Sequence, residues 1–201
     1  MYSKIITHVE KYVTPTSHAL KAFTSVLQPL ELKKKENLIH PGTYIQHEFF
    51  VESGCLIAYY LDKKGHKHII QFAIEDWWVG DFDAFYNKIP SKLYIEAIEN
   101  AKLWSISFND LEQLYYDHPI FERYFRILVT RGFISQRKRV LSTLQENAKE
   151  RYLDFCKTYP NIESRVPNYH IANYLGLSPE SLSRIRKTLT EEGLNIDVGQ
   201  P

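Results

Sequence analysis

The sequence predicts an α+β protein built in three parts. They are an N-terminal antiparallel β domain of barrel or jelly-roll type, one long helix, and a C-terminal helix-turn-helix. Three observations lead there. Between Glu31 and Ser107, short runs rich in β-branched and aromatic residues alternate with turn residues. From Pro119 onward, Ile120, Ile127, Ile134 and Leu141 recur every seven positions. Near the C-terminus, Val166 to Lys187 reads as helix, tight turn, helix. The expected divisions are 1–117 for the β domain, 118–145 for the long helix and 146–201 for the C-terminal domain.

Each element has its own signal. Residues 1–29 are read as helical, with Ile5, Ile6, Val9 and Val13 on one face, a break at Thr14-Pro15-Thr16, and Leu20, Phe23, Val26 and Leu27 resuming. Lys33-Lys34-Lys35-Glu36 is read as a solvated strand edge, since basic edges discourage unwanted pairing. Pro41-Gly42, Glu52-Ser53-Gly54 and Lys63-Lys64-Gly65 are the turn signals. Strands are expected at 44–51, 55–61, 68–74, 93–98 and 103–106. The stretch 77–90 is read as irregular. A short helix follows at 109–116 with Asn109 as cap, then the long helix, then another at 147–159 that ends near Pro160.

The seven-residue repeat describes a seam. Ile120, Tyr124, Ile127, Ile134 and Leu141 are the expected contacts of a homodimer. The competing reading, a helix that buries itself on the barrel, is held second, and Gly132 weakens the helix locally.

The C-terminal segment carries the chemistry. Ile171, Ala172 and Leu175 share one helical face, and Gly176 stands where the first helix should end, because glycine takes left-handed angles cheaply. Ser178 is placed to cap a second helix, with Pro179 in its first position. Leu182, Ile185 and Leu189 continue the apolar stripe; Glu180, Ser181, Arg184, Arg186 and Lys187 are its polar residues. By spacing alone, a structural helical hairpin fits as well as a DNA reader. The polar first turn and the cations after it favour the reader, since arginine pairs with guanine and glutamate accepts from cytosine.

Composition narrows the class. An apolar share of 44% is too high for disorder. The two cysteines, Cys55 and Cys156, have no metal-binding or disulfide spacing and are read as small core residues. Neither a signal segment nor an apolar run of spanning length is visible, so a reduced, cytoplasmic, soluble protein with no membrane partner is expected. Residues 1–117 hold 12 Lys and Arg against 15 Asp and Glu, a net of −3, while residues 118–201 hold 13 against 9, a net of +4. The positive balance lies with the candidate reading element, as phosphate attraction requires.

The run Ile171-Ala172-x-x-Leu175-Gly176-Leu177-Ser178-x-Glu180-x-Leu182-Ser183-Arg184 resembles the helix-turn-helix of the Crp/Fnr family of transcription regulators. The order of elements matches that family along nearly the whole chain. Phe72-x-x-Glu75-x-Trp77-Trp78-x-Gly80-Asp81 resembles a divergent branch of it. The resemblance implies a cyclic-nucleotide-binding-like jelly roll, a dimer made by the long helix, and a winged helix-turn-helix. It further implies base contacts from Glu180 and Arg184. Leu194 to Val198 offers one short strand for the wing. Ser181 is a lesser base-reading candidate, and Ser178, Arg186 and Lys187 are expected on phosphates. The implied partners are double-stranded DNA with a pseudo-palindromic site and a second copy of the chain, with RNA polymerase a further candidate.

In family members that bind cyclic nucleotides, a Gly-Glu pair and a following Arg-Ser/Thr-Ala run hold the ligand. Here these positions read Gly80-Asp81 and Ser91-Lys92-Leu93. The arginine is missing, and a lysine is a point charge with no bidentate fork. Tight cyclic AMP binding is therefore disfavoured. The candidate ligand-binding residues are Trp78, Gly80, Asp81, Phe82, Ser91 and Lys92. Phe72, Trp77, Trp78, Phe82, Phe85, Tyr86 and Tyr94 either fill the barrel or hold an unidentified apolar or aromatic effector. No cofactor is certain. His40, His47, His66 and His68 lack a spacing that fixes a metal, and no metal or haem site is expected. Asp81 and Asp83 could do acid–base work, but no nucleophile, phosphate loop or zinc motif accompanies them, and no catalysis is expected. The reading is a homodimeric, sequence-specific DNA-binding regulator. Its alternative is a ligand-binding or protein-interaction module that has lost specific DNA reading.

Overall fold

The computed structural model describes residues 2–192. The chain divides into two compact units, Met1–Ala58 with Phe72–Ile134, and Tyr59–Gln71 with the described residues from Ser135 on. The division falls inside the long helix, and a hairpin tip from the β region belongs with the C-terminal unit.

Two short helices open the first unit, α1 (Ser3–Glu10) and α2 (Ser17–Ser25). The hydroxyl of Thr16 accepts from the Ala19 backbone N–H at 3.1 Å and starts α2 after the Thr-Pro-Thr break. Among the described residues eight strands follow: β1 (Gln28–Leu32), β2 (Asn37–Ile39), β3 (His47–Ser53), β4 (Leu56–Leu61), β5 (Lys67–Ala73), β6 (Trp78–Val79), β7 (Tyr94–Ala97) and β8 (Ala101–Ser107). They form two four-stranded sheets, ordered β1-β8-β3-β6 and β2-β7-β4-β5. Non-sequential neighbours in two sheets are the jelly-roll signature. The register pairs Leu30 with Leu103 and Phe50 with Trp104.

The basic run at 33–36 is a tight turn between β1 and β2, with Lys35 at positive φ and the Lys33 N–H donating to the Glu36 carboxylate at 2.7 Å. The stretch 77–90 is ordered as β6 and α3 (Phe82–Asn87), because the Asp81 side chain caps the helix. Helix α4 (Phe108–Asp117) begins one residue earlier than expected. Its cap is Ser107, whose hydroxyl accepts from the Asp110 N–H at 3.1 Å, and not Asn109.

Helix α5 (Ile120–Gln145) runs through Gly132, where a side chain would meet open space. Its first two turns are core: Phe121, Tyr124 and Phe125 are buried. Beyond them the helix is exposed on most sides, including Val129, Phe133, Ile134, Val140, Leu141 and Leu144. Helix α6 (Ala148–Thr158) opens with a complete capping box between Asn147 and Glu150. A single 3-10 turn at Ile162–Ser164 leads to α7 (Asn168–Leu175) and α8 (Pro179–Glu191). Cys55 is buried and Cys156 half-buried. Among the described residues, no helix is long and apolar enough to cross a membrane. The expected wing strand at 194–198 lies outside the described residues.

Candidate nucleic-acid interface and sensor cassette

Helix α7 ends as its sequence requires. Gly176 adopts φ 67°, ψ 34°; its N–H reaches the Asn173 carbonyl at 3.1 Å, and the Leu177 N–H reaches Ala172 at 2.8 Å. This double closure is a Schellman cap. The Ser178 hydroxyl then accepts from the Ser181 N–H at 3.1 Å and donates to the Ser181 hydroxyl at 3.0 Å, which starts α8. Ile171, Ala172, Leu182 and Leu189 are buried between the two helices and their neighbours. Fully burying side chains of this size contributes about 1.5–3 kcal/mol each for the larger ones.

Burial of that stripe sets what α8 shows to solvent. Glu180, Ser183, Arg184 and Lys187 are exposed, and Ser181 is half-buried. The Glu180 carboxyl is held below its ordinary value by its own backbone N–H, by the Ser178 hydroxyl and by the Arg184 charge. It is therefore an ionised acceptor at neutral pH. Lys187 lies 3.9 Å from Glu191, a loose pair between two exposed side chains. The result is a mixed polar face with one acceptor and two cations along it.

Arg186 corrects the sequence reading. Its guanidinium points inward, donating from Nε to the Tyr152 hydroxyl at 3.0 Å, from Nη2 to Glu163 Oε1 at 2.6 Å, and from Nη1 to the Asn168 side-chain oxygen. At 3.6 residues per turn, positions 184 and 186 lie about 160° apart around the helix. One faces solvent and the other the unit's own core, so Arg186 is not available to a phosphate. Glu163 and Tyr152, which hold it, carried no signal in the sequence because they are remote in chain order.

The back of α7 is strapped by the hairpin tip within the same unit. The Asn173 side chain accepts from the Ile69 N–H at 2.8 Å and donates to the Lys67 carbonyl at 2.6 Å. Arg139 donates to the Ile70 carbonyl at 2.5 Å and to that of Tyr174 at 3.1 Å, with its guanidinium 3.9 Å over the Tyr174 ring. In the hairpin, His66 and His68 both approach the Asp62 carboxylate, at 3.3 and 3.1 Å, and this pairing holds Asp62 well below the usual carboxylate range. Among the described residues, no cluster of three or more metal-ligating side chains exists.

The sensor cassette differs from expectation. Trp78 is not a pocket residue: its Nε1 donates to the Tyr124 hydroxyl at 3.0 Å, and its ring packs on Phe50 and Phe125. Tyr124 is likewise not on the seam. It is fully buried and bonded to His8 Nδ1 at 2.7 Å. Burial lowers His8 to about 4, so a neutral ring shares this hydrogen bond with the tyrosine hydroxyl. Tyr124 misled because the heptad pattern begins before the helix leaves the core. Of the other seam residues, Ile120 and Ile127 are half-buried, while Ile134 and Leu141 are exposed.

Asp81 is buried and already engaged. It caps Ala84 N–H and accepts from the Ser91 hydroxyl at 2.7 Å; Ser91 in turn accepts from the Leu93 N–H at 3.0 Å. Lys92 is exposed, as is Phe82, which stacks on Tyr86. Gly80 lies against Glu48: a Cβ there would come within 2.3 Å of the carboxylate. Both Glu48 oxygens are buried without a hydrogen-bond partner, and burial with the nearby Asp81 pushes the group up to about 8. A cyclic nucleotide phosphate needs a fork of donors and a free hydroxyl. This cassette has no arginine, its serine is spent, and an acid lies beneath its glycine, so these residues do not fit that group. The alternation Glu48, Phe50 on the inward face of β3 was visible in the sequence, and a glutamate at such a position was the signal left unread.

A cleft of about 360 Å³ lies elsewhere on the first unit, lined by Tyr44, Ile45, Gln46, Phe85, Lys88 and Phe108 among others. Of the aromatics expected near the cassette, only Phe85 lines it.

Comparison with known proteins gives a consistent picture. The cyclic nucleotide-binding domain family matches residues 29–118. Electron transport regulator A of Shewanella oneidensis is 24% identical over 174 residues, covering 81% of this chain and 69% of that protein. Transcriptional activator protein FnrA of Stutzerimonas stutzeri is 25% identical over 177 residues, covering 81% and 70%. Among solved structures, the c-di-GMP responsive regulator CLP of Xanthomonas campestris superposes with a TM-score of 0.70 at 16% identity, covering 89% of this chain and 94% of that one. FixK2 of Bradyrhizobium japonicum gives 0.69 at 19% identity, covering 84% and 86%. These likenesses establish the fold.

Proposed function

We propose that this chain, which belongs to the Crp/Fnr family, works as a homodimer that reads a two-fold symmetric DNA site with α8. Its relatives are transcription regulators of the FNR kind, and DNA-binding transcription regulation is its function. The observation that carries the finer reading is the exposed face of α8, where Glu180 and Arg184 stand one turn apart on a rigidly capped helix. In this reading Glu180 and Arg184 contact base edges, with Ser181 secondary, and Lys187 and Ser178 contact phosphate. The exposed apolar row on α5, including Ile134 and Leu141, supports dimerisation there. Two copies would place their α8 helices in successive major grooves, with half-sites about 34 Å apart.

The effector, if the first unit takes one, is not a cyclic nucleotide held in the usual way. No catalytic step is assigned, the site of action is the cytoplasm, and RNA polymerase is the partner an activator would need. The test is selection from a random DNA pool with the purified protein at fixed salt. Enrichment of a symmetric site supports the reading. Arg184→Ala should then weaken the selected site by about 1–3 kcal/mol and relax its sequence. Lys187→Ala should weaken all sequences alike and lower the salt slope by about 1. Binding without sequence preference would favour the alternative, a module that has kept the fold and lost specific reading.

A further inference from the structure

We propose that Arg186 and Glu163 form a positioning pair that sets the orientation of the recognition helix, and that sequence discrimination depends on this pair although neither residue touches DNA. The proposal rests on α8 being the DNA-reading helix.

Four elements converge on one guanidinium. Arg186 comes from α8, Tyr152 from α6, Glu163 from the 3-10 turn and Asn168 from the start of α7. The pair is enclosed, with side-chain exposures of 17% for Arg186 and 5% for Glu163. Tyr152 has no exposed surface and its hydroxyl also donates to Glu163 Oε1. Burial raises the Tyr152 phenol above its ordinary value, so it stays a proton donor to the carboxylate.

The geometry gives this cluster a job that apolar packing leaves open. Leu182 and Leu189 hold α8 against the unit but tolerate small rotations about the helix axis, because apolar contact is non-directional. A planar guanidinium with three directed bonds to three other elements does not tolerate them. Arg186 lies on the flank of α8 opposite Arg184, so a rotation that its bonds forbid is one that would swing Arg184 and Glu180 along the groove. Base reading depends on such placement, because bidentate bonds to base edges lose discrimination when their geometry is spoiled. Phosphate attraction does not, since it tracks charge and not angle.

The experiment measures binding of the full-length protein to the selected site and to random-sequence DNA across a salt series. Its variants are Arg186→Lys, Glu163→Gln, and the double variant Arg186→Met with Glu163→Gln. Circular dichroism at the assay temperature confirms that each is folded. The double variant removes both charges and so leaves no bare buried ion. The two roles predict opposite signs for Glu163→Gln. If Arg186 acts as a charge toward DNA, removing a nearby negative charge leaves binding unchanged or tightens it on every sequence. If the pair positions α8, affinity for the selected site falls roughly tenfold to a hundredfold, as loss of base readout does, while random-sequence affinity and the salt slope stay put. Arg186→Lys should behave like Glu163→Gln, because lysine keeps the charge but not the fork. Wild-type behaviour of Arg186→Lys, or a salt slope lowered by about 1 in the double variant, would overturn the proposal. A wild-type protein that selects no site would remove the reading on which the proposal rests, and the proposal with it.

Discussion

Glu163 in the C-terminal unit and Glu48 in the N-terminal unit are both buried acids, and they are treated differently. Glu163 faces a guanidinium at 2.6 Å and a tyrosine hydroxyl. Glu48, 2% exposed, faces a glycine and a second acid, and neither of its oxygens is bonded. Removing a carboxylate from water costs several kcal/mol unless a partner offsets it. The C-terminal unit supplies a guanidinium and a hydroxyl to one Glu163 oxygen and leaves the other without a hydrogen bond. The N-terminal unit supplies none, so the acid holds its proton up to about pH 8. In the proposed function, a fixed ion pair suits a helix that presents one face without variation. An orphaned acid beneath Gly80 marks a cassette not shaped for an anion.

Four measurements break or sharpen that contrast. The largest effect is expected from Arg186→Ala, which strands Glu163 as a buried uncompensated charge. It should lower unfolding free energy by about 3–5 kcal/mol in denaturant titration. A loss below 1 kcal/mol would mean that Glu163 takes up a proton or water at little cost. Gly80→Ala comes next. Its methyl group must displace the Glu48 carboxylate, for about 1–3 kcal/mol, and pairing it with Glu48→Ala should restore most of the loss.

The third is the pH profile of Glu48→Gln. In the unfolded chain Glu48 titrates near 4.5 and in the folded chain near 8. Between those values the folded state binds the extra proton, so stability falls as pH rises, by up to about 1.4 kcal/mol per unit. His8, lowered from 6.5 to about 4, acts in the opposite sense and makes stability rise with pH below 6.5. The two offset each other from pH 4.5 to 6.5, and the Glu48 decline stands alone from 6.5 to 8. Melting temperature in Glu48→Gln should therefore be flatter than wild type across that last interval; an unchanged slope would mean that Glu48 is ionised in the folded chain. The smallest effect is that of Ser178→Ala, about 1 kcal/mol for a lost helix cap, read in the melting temperature of the C-terminal unit.

Wherever structure is local, it was legible in the chain. Turn residues and alternation located β3, β4, β5, β7 and β8. Gly176 and Ser178-Pro179 marked both ends of the helix-turn-helix turn, because glycine angles and hydroxyl caps need only their neighbours. β1, β2 and β6 were missed for the complementary reason. They are two to five residues long and are held by partners such as β8, β7 and β3, more than their own pattern. Boundaries slipped where two caps competed, as at Ser107 and Asn109.

For the functional residues, the sequence by itself determined the capped start of α8, the order of its polar residues, and the absence of an arginine from the cassette. Tertiary structure alone decided which of those residues are available. Arg184 and Arg186 look equivalent in the chain, yet one faces solvent and the other Glu163. Tyr124 and Leu141 share a heptad pattern, yet one bonds His8 in the core and the other is exposed. The physical reason is that periodicity specifies the angle of a side chain around its own helix, whereas its environment depends on what the rest of the chain brings to that angle. His8, Glu163 and Asn168 supply those environments from positions far away in sequence.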